Sequence, residues 1–208
     1  MIITYLGKQF FKIQQGELVV AFNPISKDSK SKDLISRFGA AIALSTTNHP
    51  DYNGFDMVSH GETVPFEIKG PGDYEVKDVF IKGVLNETTI DGKKYINTIY
   101  SLSIEGISIC FLGAVSQGKL SAEVYGQIET PDILFVPIGN NDLLNPAEAY
   151  KLAVSLEPKI IIPMEYDTAT LKAFLKEGGQ EKVVPVEKLT IKAKELVGRQ
   201  GDIVVLSS

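Results

Sequence analysis

The chain has 208 residues, 21 of them basic and 26 acidic, for a net charge of −5. That length supports one substantial core, and no basic stripe of the kind that grips phosphate backbones is present, so stable nucleic-acid binding is not expected. A single cysteine, Cys110 in the apolar stretch ISICFLG, excludes an internal disulfide and reads as a small buried hydrophobe.

The first half reads as short strands. Residues 1–6, 9–13 and 17–22 are β-rich runs separated by turns at Gly7 and Gly16. Residues 26–39 are polar, then amphipathic, and close on Gly39 as a helix does, with a helix expected near 30–37. Its lysine-rich start, Lys27 to Lys32, is most simply a solvated loop. AAIAL follows as a buried strand, then strands at 57–60, 63–68, 74–76, 79–86, 95–104 and 107–112. Their separators (GPGD, IDGKK, EGI) have hairpin-type turn chemistry.

After Gly113 helices alternate with buried strands. SAEVYGQI is helical, ILFVPIG is a strand, and NPAEAYKLAVSLEP is a helix that Asn145 caps, with Pro146 first and Glu148 third. KIIIPM is a strand, TATLKAFLKEGG a helix, and the tail supplies two or three more strands. Continuous apolar strands joined by helices imply sheets covered on an outer face. The expectation is an α/β (α+β) fold in four layers: two mixed sheets face to face, helices outside near 121–128, 146–156 and 168–176, and one domain spanning 1–208.

LSTTNHPDYNG (44–54) places one of only two histidines, His49, on the loop that leaves a buried strand, with Asp51 two positions on. Five stretches, in order, resemble the metallo-β-lactamase fold superfamily, and within it the small stand-alone metal-dependent hydrolases. LGKQFFKIQQGELVVAFNP is similar to their strand pair leading to Asp-Pro, and AAIALSTTNHPDYNG falls where they carry T-H-x-H-x-D-H. IKGPGDYEVKDVFIKGV resembles their Gly-Pro-Gly hairpin, and NTIYSLSIEGISICFLGAV their next strand pair, which ends in Gly-Asp. PDILFVPIG with NPAEAYKLAVSLEPKIIIPMEY resembles their closing βαβ unit, which ends in Pro-Met-His-Tyr. The resemblance implies an αββα sandwich with a two-metal site at its edge that activates a water.

Carried over position by position, that site is largely lost. Thr47 stands for the first histidine, His49 and Asp51 are kept, and Tyr52 stands for the last histidine of the motif. The next ligand falls near Asn86 and Glu87, where no histidine occurs, Ala114 replaces the bridging aspartate, Glu165 the final histidine, and Asn23 the early aspartate. Zinc wants about four ligands, and the kept pair belongs to two different metal positions. A metal-free relative acting in binding or assembly is therefore the preferred reading. Its vestigial cleft would comprise Asn23, Thr47, Tyr52 and Ala114, with Asn140 and Asn141 of PIGNNDLLNP on the same rim. Tyr52 and Phe111 would fill the emptied volume.

The alternative is a hydrolase of phosphodiester or ester bonds. It would use magnesium, manganese or a single zinc on His49, Asp51 and Glu165, with Glu87 as a further ligand. His49 and Asp51 are also the candidates for metal-free acid–base catalysis. Against these stands a structural reading: His49 as a hydrogen-bonded loop residue, Asp51 as the cap of a short helix at 52–55, and His60 as a turn residue. Gly70 to Gly72 reads as a hairpin, since it lacks the strand–loop–helix context and the Lys-Ser/Thr of a phosphate loop. No cofactor is expected beyond such a divalent metal. The partner is an unidentified small molecule or protein, with a homo-oligomer left open. The opening MIITYLGKQFFKI lacks a secretion signal, and no apolar run approaches the ~20 residues of a membrane span. The expectation is a cytoplasmic protein.

Overall fold

The computed structural model describes residues 1–31, 37–139 and 142–208. In chain order the strands are β1 (Ile2–Tyr5), β2 (Phe11–Gln15), β3 (Leu18–Phe22), β4 (Ile42–Leu44), β5 (Phe66–Ile68), β6 (Gly72–Val76), β7 (Val79–Ile90), β8 (Lys93–Ile104), β9 (Ile107–Phe111), β10 (Ile133–Pro137), β11 (Ile160–Met164), β12 (Lys188–Thr190) and β13 (Asp202–Ile203). The helices are α1 (Ala122–Tyr125), α2 (Pro146–Ser155) and α3 (Thr168–Glu177).

These strands make two mixed sheets, ordered β12-β1-β2-β3-β4-β5 and β13-β11-β10-β9-β8-β7-β6. Their pairing is antiparallel from β12 through β3 and from β6 through β9, and parallel in the remainder. The sheets face each other across a shared core, as the two mixed sheets of an α/β sandwich, which is the arrangement expected.

The period-2 alternation of side chains explains why β9, β10 and β11 read as unbroken apolar runs. One set (Ile109, Phe111, Ile133, Phe135, Ile160, Ile162) enters the core between the sheets. The alternate set (Cys110, Leu134, Val136, Ile161) lies under the helices, against Leu152, Ala153 and Phe174. The intersheet core is centred on aromatic rings: Phe22 stacks on Phe111 at 4.5 Å, and Phe11 meets Phe135 edge-on at 4.7 Å. Phe111 therefore belongs to this core and does not fill the cleft, because its register on β9 points it inward between the sheets.

Among the described residues the three α-helices cover the second sheet only. On the first sheet's outer face Phe55 and Val58, from a 3₁₀ turn at Phe55–Val58, pack with Phe10, Ile25 and Ala43. The helix expected near 30–37 falls mostly on residues outside the described ones. The helix starts are legible in atomic terms. The Asn145 side chain accepts from the Glu148 amide, with Pro146 in the first turn, and Asp167 caps α3 reciprocally with Thr170.

Two turn readings change. Residues 57–60 form no strand. The 3₁₀ turn takes their place, and His60 only bridges to Thr63 at an exposed turn. Gly70 to Gly72 is no hairpin, because it carries the chain from β5 in one sheet to β6 in the other. The hairpin lies further on, where Lys77 and Asp78 both adopt positive φ (53° and 60°), the geometry that matches strand twist. No helix of the described residues is long and apolar enough to cross a membrane.

Asp132 fastens the start of β10 to its neighbours. Its carboxylate accepts from the Ser108 amide at 2.8 Å and from Lys159 at 2.7 Å. Burial opposes ionisation, but Lys159 and Ser108 outweigh it and hold the carboxyl below its ordinary value. A depressed acid stabilises the fold above its unfolded pKa, 3.8, and that contribution is lost as pH falls through the lower folded value. Asp132→Ala should cost about 1.5–3 kcal/mol in urea denaturation at pH 7, with the deficit shrinking as the pH is taken below that range.

Candidate functional site

The loop after β4 is pinned at one end of the sandwich by its own backbone. The Ser45 hydroxyl donates to the Thr47 carbonyl, and the His49 and Tyr52 amides donate to the Thr47 and His49 carbonyls. Beneath it lies a buried, neutral amide network. Asn23, held at φ 45°, donates through Nδ2 to Gln9 Oε1 (3.0 Å) and Thr46 Oγ1 (2.9 Å), and its Oδ1 accepts from the Thr46 amide (2.8 Å). An aspartate here would have to bury a charge. The asparagine supplies both a donor and an acceptor instead.

A second amide, Asn97 in the middle of β8, is fully buried. Its Oδ1 accepts from the Ala114 amide at 2.8 Å and from Thr47 Oγ1 at 3.3 Å, and its Nδ2 donates to the Leu112 carbonyl at 2.9 Å. Gly113 passes so close that a Cβ there would lie 2.5 Å from Asn97 Oδ1, and its φ of 66° suits glycine. Asn97 thus ties together the turn after β9 and the loop after β4.

In front of these networks stand the charged groups. Lys8, at φ 50° in the tight turn between β1 and β2, sends its ammonium between two carboxylates. It lies 3.0 Å from Glu165 Oε1 and 3.1 Å from Asp51 Oδ2. Glu165, just past β11 and also at positive φ (53°), accepts in addition from Gln9 Nε2 at 2.8 Å and from the Tyr52 hydroxyl at 2.9 Å. Its own amide donates to the Lys8 carbonyl at 2.8 Å.

Burial alone would lower the Lys8 pKa, but Glu165 and then Asp51 reverse that and raise it, so the amine stays charged. Burial likewise opposes ionisation of Asp51, yet the Ser29 hydroxyl and Lys8 hold its carboxyl below the ordinary value. Asp51 is therefore spoken for by Ser29 and Lys8 and is no helix cap. The following 3₁₀ turn begins at Gly54 with no side-chain cap at all.

Tyr52 is buried, 2% exposed, among Ala114, Ile90, Tyr95 and Leu143. Burial first, then Glu165, pushes its phenol well above the usual range, so it remains a neutral donor. His49 packs on the rings of Tyr52 and Tyr95, each at 5.8 Å, and its Nδ1 accepts from the Asp51 amide at 3.2 Å. Thr47, His49, Asp51, Tyr52, Ala114 and Glu165 thus lie together, at the floor of an open cleft of about 740 Å³ or in the loops directly beneath it. Aromatic and apolar walls come from Tyr5, Tyr166, Leu143 and Leu171.

Glu87 does not join them. It is exposed on β7, because the period-2 alternation that turns Asn86 and Ile90 inward turns Glu87 out. Asn140 and Asn141 lie outside the described residues.

Can these residues take the metal pair of the fold? A zinc ion needs about four donors at 2.0–2.3 Å. Here an ammonium already stands at hydrogen-bond distance from both carboxylates, Ala114 offers no side-chain donor, and the Tyr52 hydroxyl points at Glu165 as a donor. Among the described residues no three His, Cys, Asp or Glu side chains gather to hold a metal ion. The donor set does not fit the group.

Four residues of this constellation escape sequence reading: Lys8, Gln9, Ser29 and Asn97. For Lys8 the partner Glu165 is 157 positions away, and no local pattern announces such a pair. Asn97 did leave a signal, an amide in the middle of a twelve-residue strand where asparagine is disfavoured.

A model of the family described as "Beta-lactamase superfamily domain" matches residues 2–165. A protein of Listeria innocua named UPF0173 metal-dependent hydrolase is 34% identical over 204 residues, covering 82% of this chain and 87% of its own. One of the same name from Pyrococcus furiosus is 29% identical, covering 98% of this chain and 95% of its own. Among solved structures, one from Thermotoga maritima, described as a zinc-dependent hydrolase of the metallo-β-lactamase superfamily, aligns with a TM-score of 0.75 at 26% identity, covering 99% of this chain and 97% of that one.

Proposed function

The chain belongs to the β-lactamase superfamily domain family, and from that premise we propose that it is a cytoplasmic member that works without the family's metal pair, as a binding protein. The observation that carries this reading is Tyr52. Where the family motif has a histidine, this chain has a phenol that is 2% exposed, packed on Ala114 and Ile90, and hydrogen-bonded to Glu165 at 2.9 Å. Protein fills the place where metal and water would be held. The cleft above it stays open, walled by tyrosines and leucines and floored by charged groups, and such a mixture suits a small molecule with polar and apolar parts.

Purified protein, loaded with zinc or manganese and then dialysed, should retain less than one equivalent of metal. It should not turn over bis-p-nitrophenyl phosphate or p-nitrophenyl acetate above background with added manganese. The His49→Ala variant is the control, because His49 is the retained motif histidine. Metal-stimulated turnover by the wild type that disappears in His49→Ala would establish the rival, a hydrolase with an altered site, and overturn this one.

A further inference from the structure

Toward the turn that joins β7 to β8, the second sheet narrows to two strands. β9 pairs with β8 only as far as Phe111 opposite Tyr100, whereas β7 and β8 stay paired on to Ile90 opposite Lys93. A two-stranded ribbon is marginal by itself, so its faces need cover. One face has it, where Ile90 and Tyr95 pack with Tyr52 and Ala114. The other face continues the side that carries Ile81, Tyr100 and Leu102 into the intersheet core. The linker between the sheets covers that side at Gly83, where a Cβ would lie 3.1 Å from the Gly70 carbonyl oxygen and from the Pro71 Cα.

Past the linker that side is bare. Leu85 and Ile96 are 52% and 57% exposed, and Glu87, Thr89 and Lys94 are exposed with them. The register orders these groups, with Glu87 opposite Ile96 and Thr89 opposite Lys94. Residues directly opposite share a face, which makes Glu87 and Lys94 diagonal neighbours about 7–8 Å apart, with Ile96 beside both. Among the described residues neither of these charges is in an ion pair. A two-fold axis passing beside Ile96 would bring Ile96 against its own copy and set Glu87 on Lys94 of the second chain. The same operation repeats the charge pair on the far side. The face is complementary to itself in charge and in apolar surface.

We propose that this face of the β7–β8 ribbon is where two copies of the chain join, as an isologous dimer centred on Ile96 with two Glu87–Lys94 pairs across it. Five side chains on two strands are far fewer than the roughly 20–30 a side of a standard interface, so the dimer is weak and forms as concentration rises. The same ribbon carries Ile90 and Asp91 to the cleft, where the Asp91 amide donates to Asp142 at 2.8 Å, so pairing braces one wall of the cleft. The inference stands whether or not the cleft holds a metal.

Sedimentation velocity of the wild type should show monomer at roughly 5 µM and a substantial dimer fraction at roughly 500 µM, as weak self-association requires. Ile96→Lys and the single charge reversals Glu87→Lys and Lys94→Glu should each stay monomeric over that range. Their melting temperatures at the low concentration should match the wild type, because the altered side chains are exposed. The two reversed variants mixed one to one should dimerise again, since each then meets the opposite charge at both contacts. That recovery is specific to the two-fold pairing, and a general loss of folding could not produce it. A wild type that is monomeric at the top of the range overturns the proposal. So does a dimer that survives Ile96→Lys, which would place the interface elsewhere, or a mixture that fails to dimerise.

Discussion

Tyr52→Ala should destabilise the protein by about 3–5 kcal/mol, read as a fall in the midpoint of urea denaturation, because truncating a buried aromatic loses its burial and leaves a cavity. The ring contacts Ala114, Ile90, Tyr95 and Leu143, and the small Ala114 offers nothing that could collapse into the space. The hydroxyl contributes separately. Glu165 takes it as one of three side-chain donors, beside Lys8 and Gln9. Tyr52→Phe keeps the ring and should therefore lose only about 1.5–3 kcal/mol, the range for a hydrogen bond to a charged group. If the two variants were equally destabilised, the hydroxyl alone would matter and the filled-site reading of Tyr52 would fail.

Asn97→Leu should be as damaging, through a different cause. Leucine matches asparagine roughly in size but leaves the Ala114 amide and the Leu112 carbonyl without partners in a fully buried place. Each orphaned group costs about 1–3 kcal/mol, so a loss of roughly 2–6 kcal/mol is expected. Asn97→Asp should do little better, since its second oxygen would face the Leu112 carbonyl and its charge would be buried. A change below about 1 kcal/mol in either variant would mean that water reaches these groups.

Which parts of this were legible in the sequence follows from the range of the signals. The β9, β10 and β11 runs could be read because five or so apolar residues in succession have few other homes than a doubly covered strand. Asn145 and Pro146 could be read because capping acts within one helical turn. The 3₁₀ turn at Phe55–Val58 misled, since Met57 and Val58 are apolar in a strand or a tight turn alike, and only packing on the first sheet decides. Gly70 to Gly72 misled for a related reason. Glycine and proline announce a change of direction without saying which sheet the chain enters next.

The site divides along the same line. His49, Asp51 and Tyr52 sit in one short stretch and could be singled out together. Lys8 could not, because its meaning depends on Glu165 and Asp51 and nothing in the turn after β1 names either. The resemblance told which residue types were missing, but only geometry shows what stands in their stead. Phe111 illustrates the opposite error: its type suited a cavity filler, while its register on β9 commits it to the core between the sheets.

The pairing of β1 has a consequence for how the molecule is made. Its inner neighbour, β2, follows at once, but its outer neighbour is β12, with Ile2 opposite Thr190 and the Met1 amine bonded to the Ile191 carbonyl. β13 pairs with β11 on the opposite sheet. As the chain leaves the ribosome from its amino end, most of both sheets can therefore be present while each still lacks its last strand. For that interval the outer edge of β1 is an open row of backbone donors and acceptors, the kind of edge onto which a neighbouring chain can add. β12, with Lys188, covers that edge only once residues 188–190 have emerged.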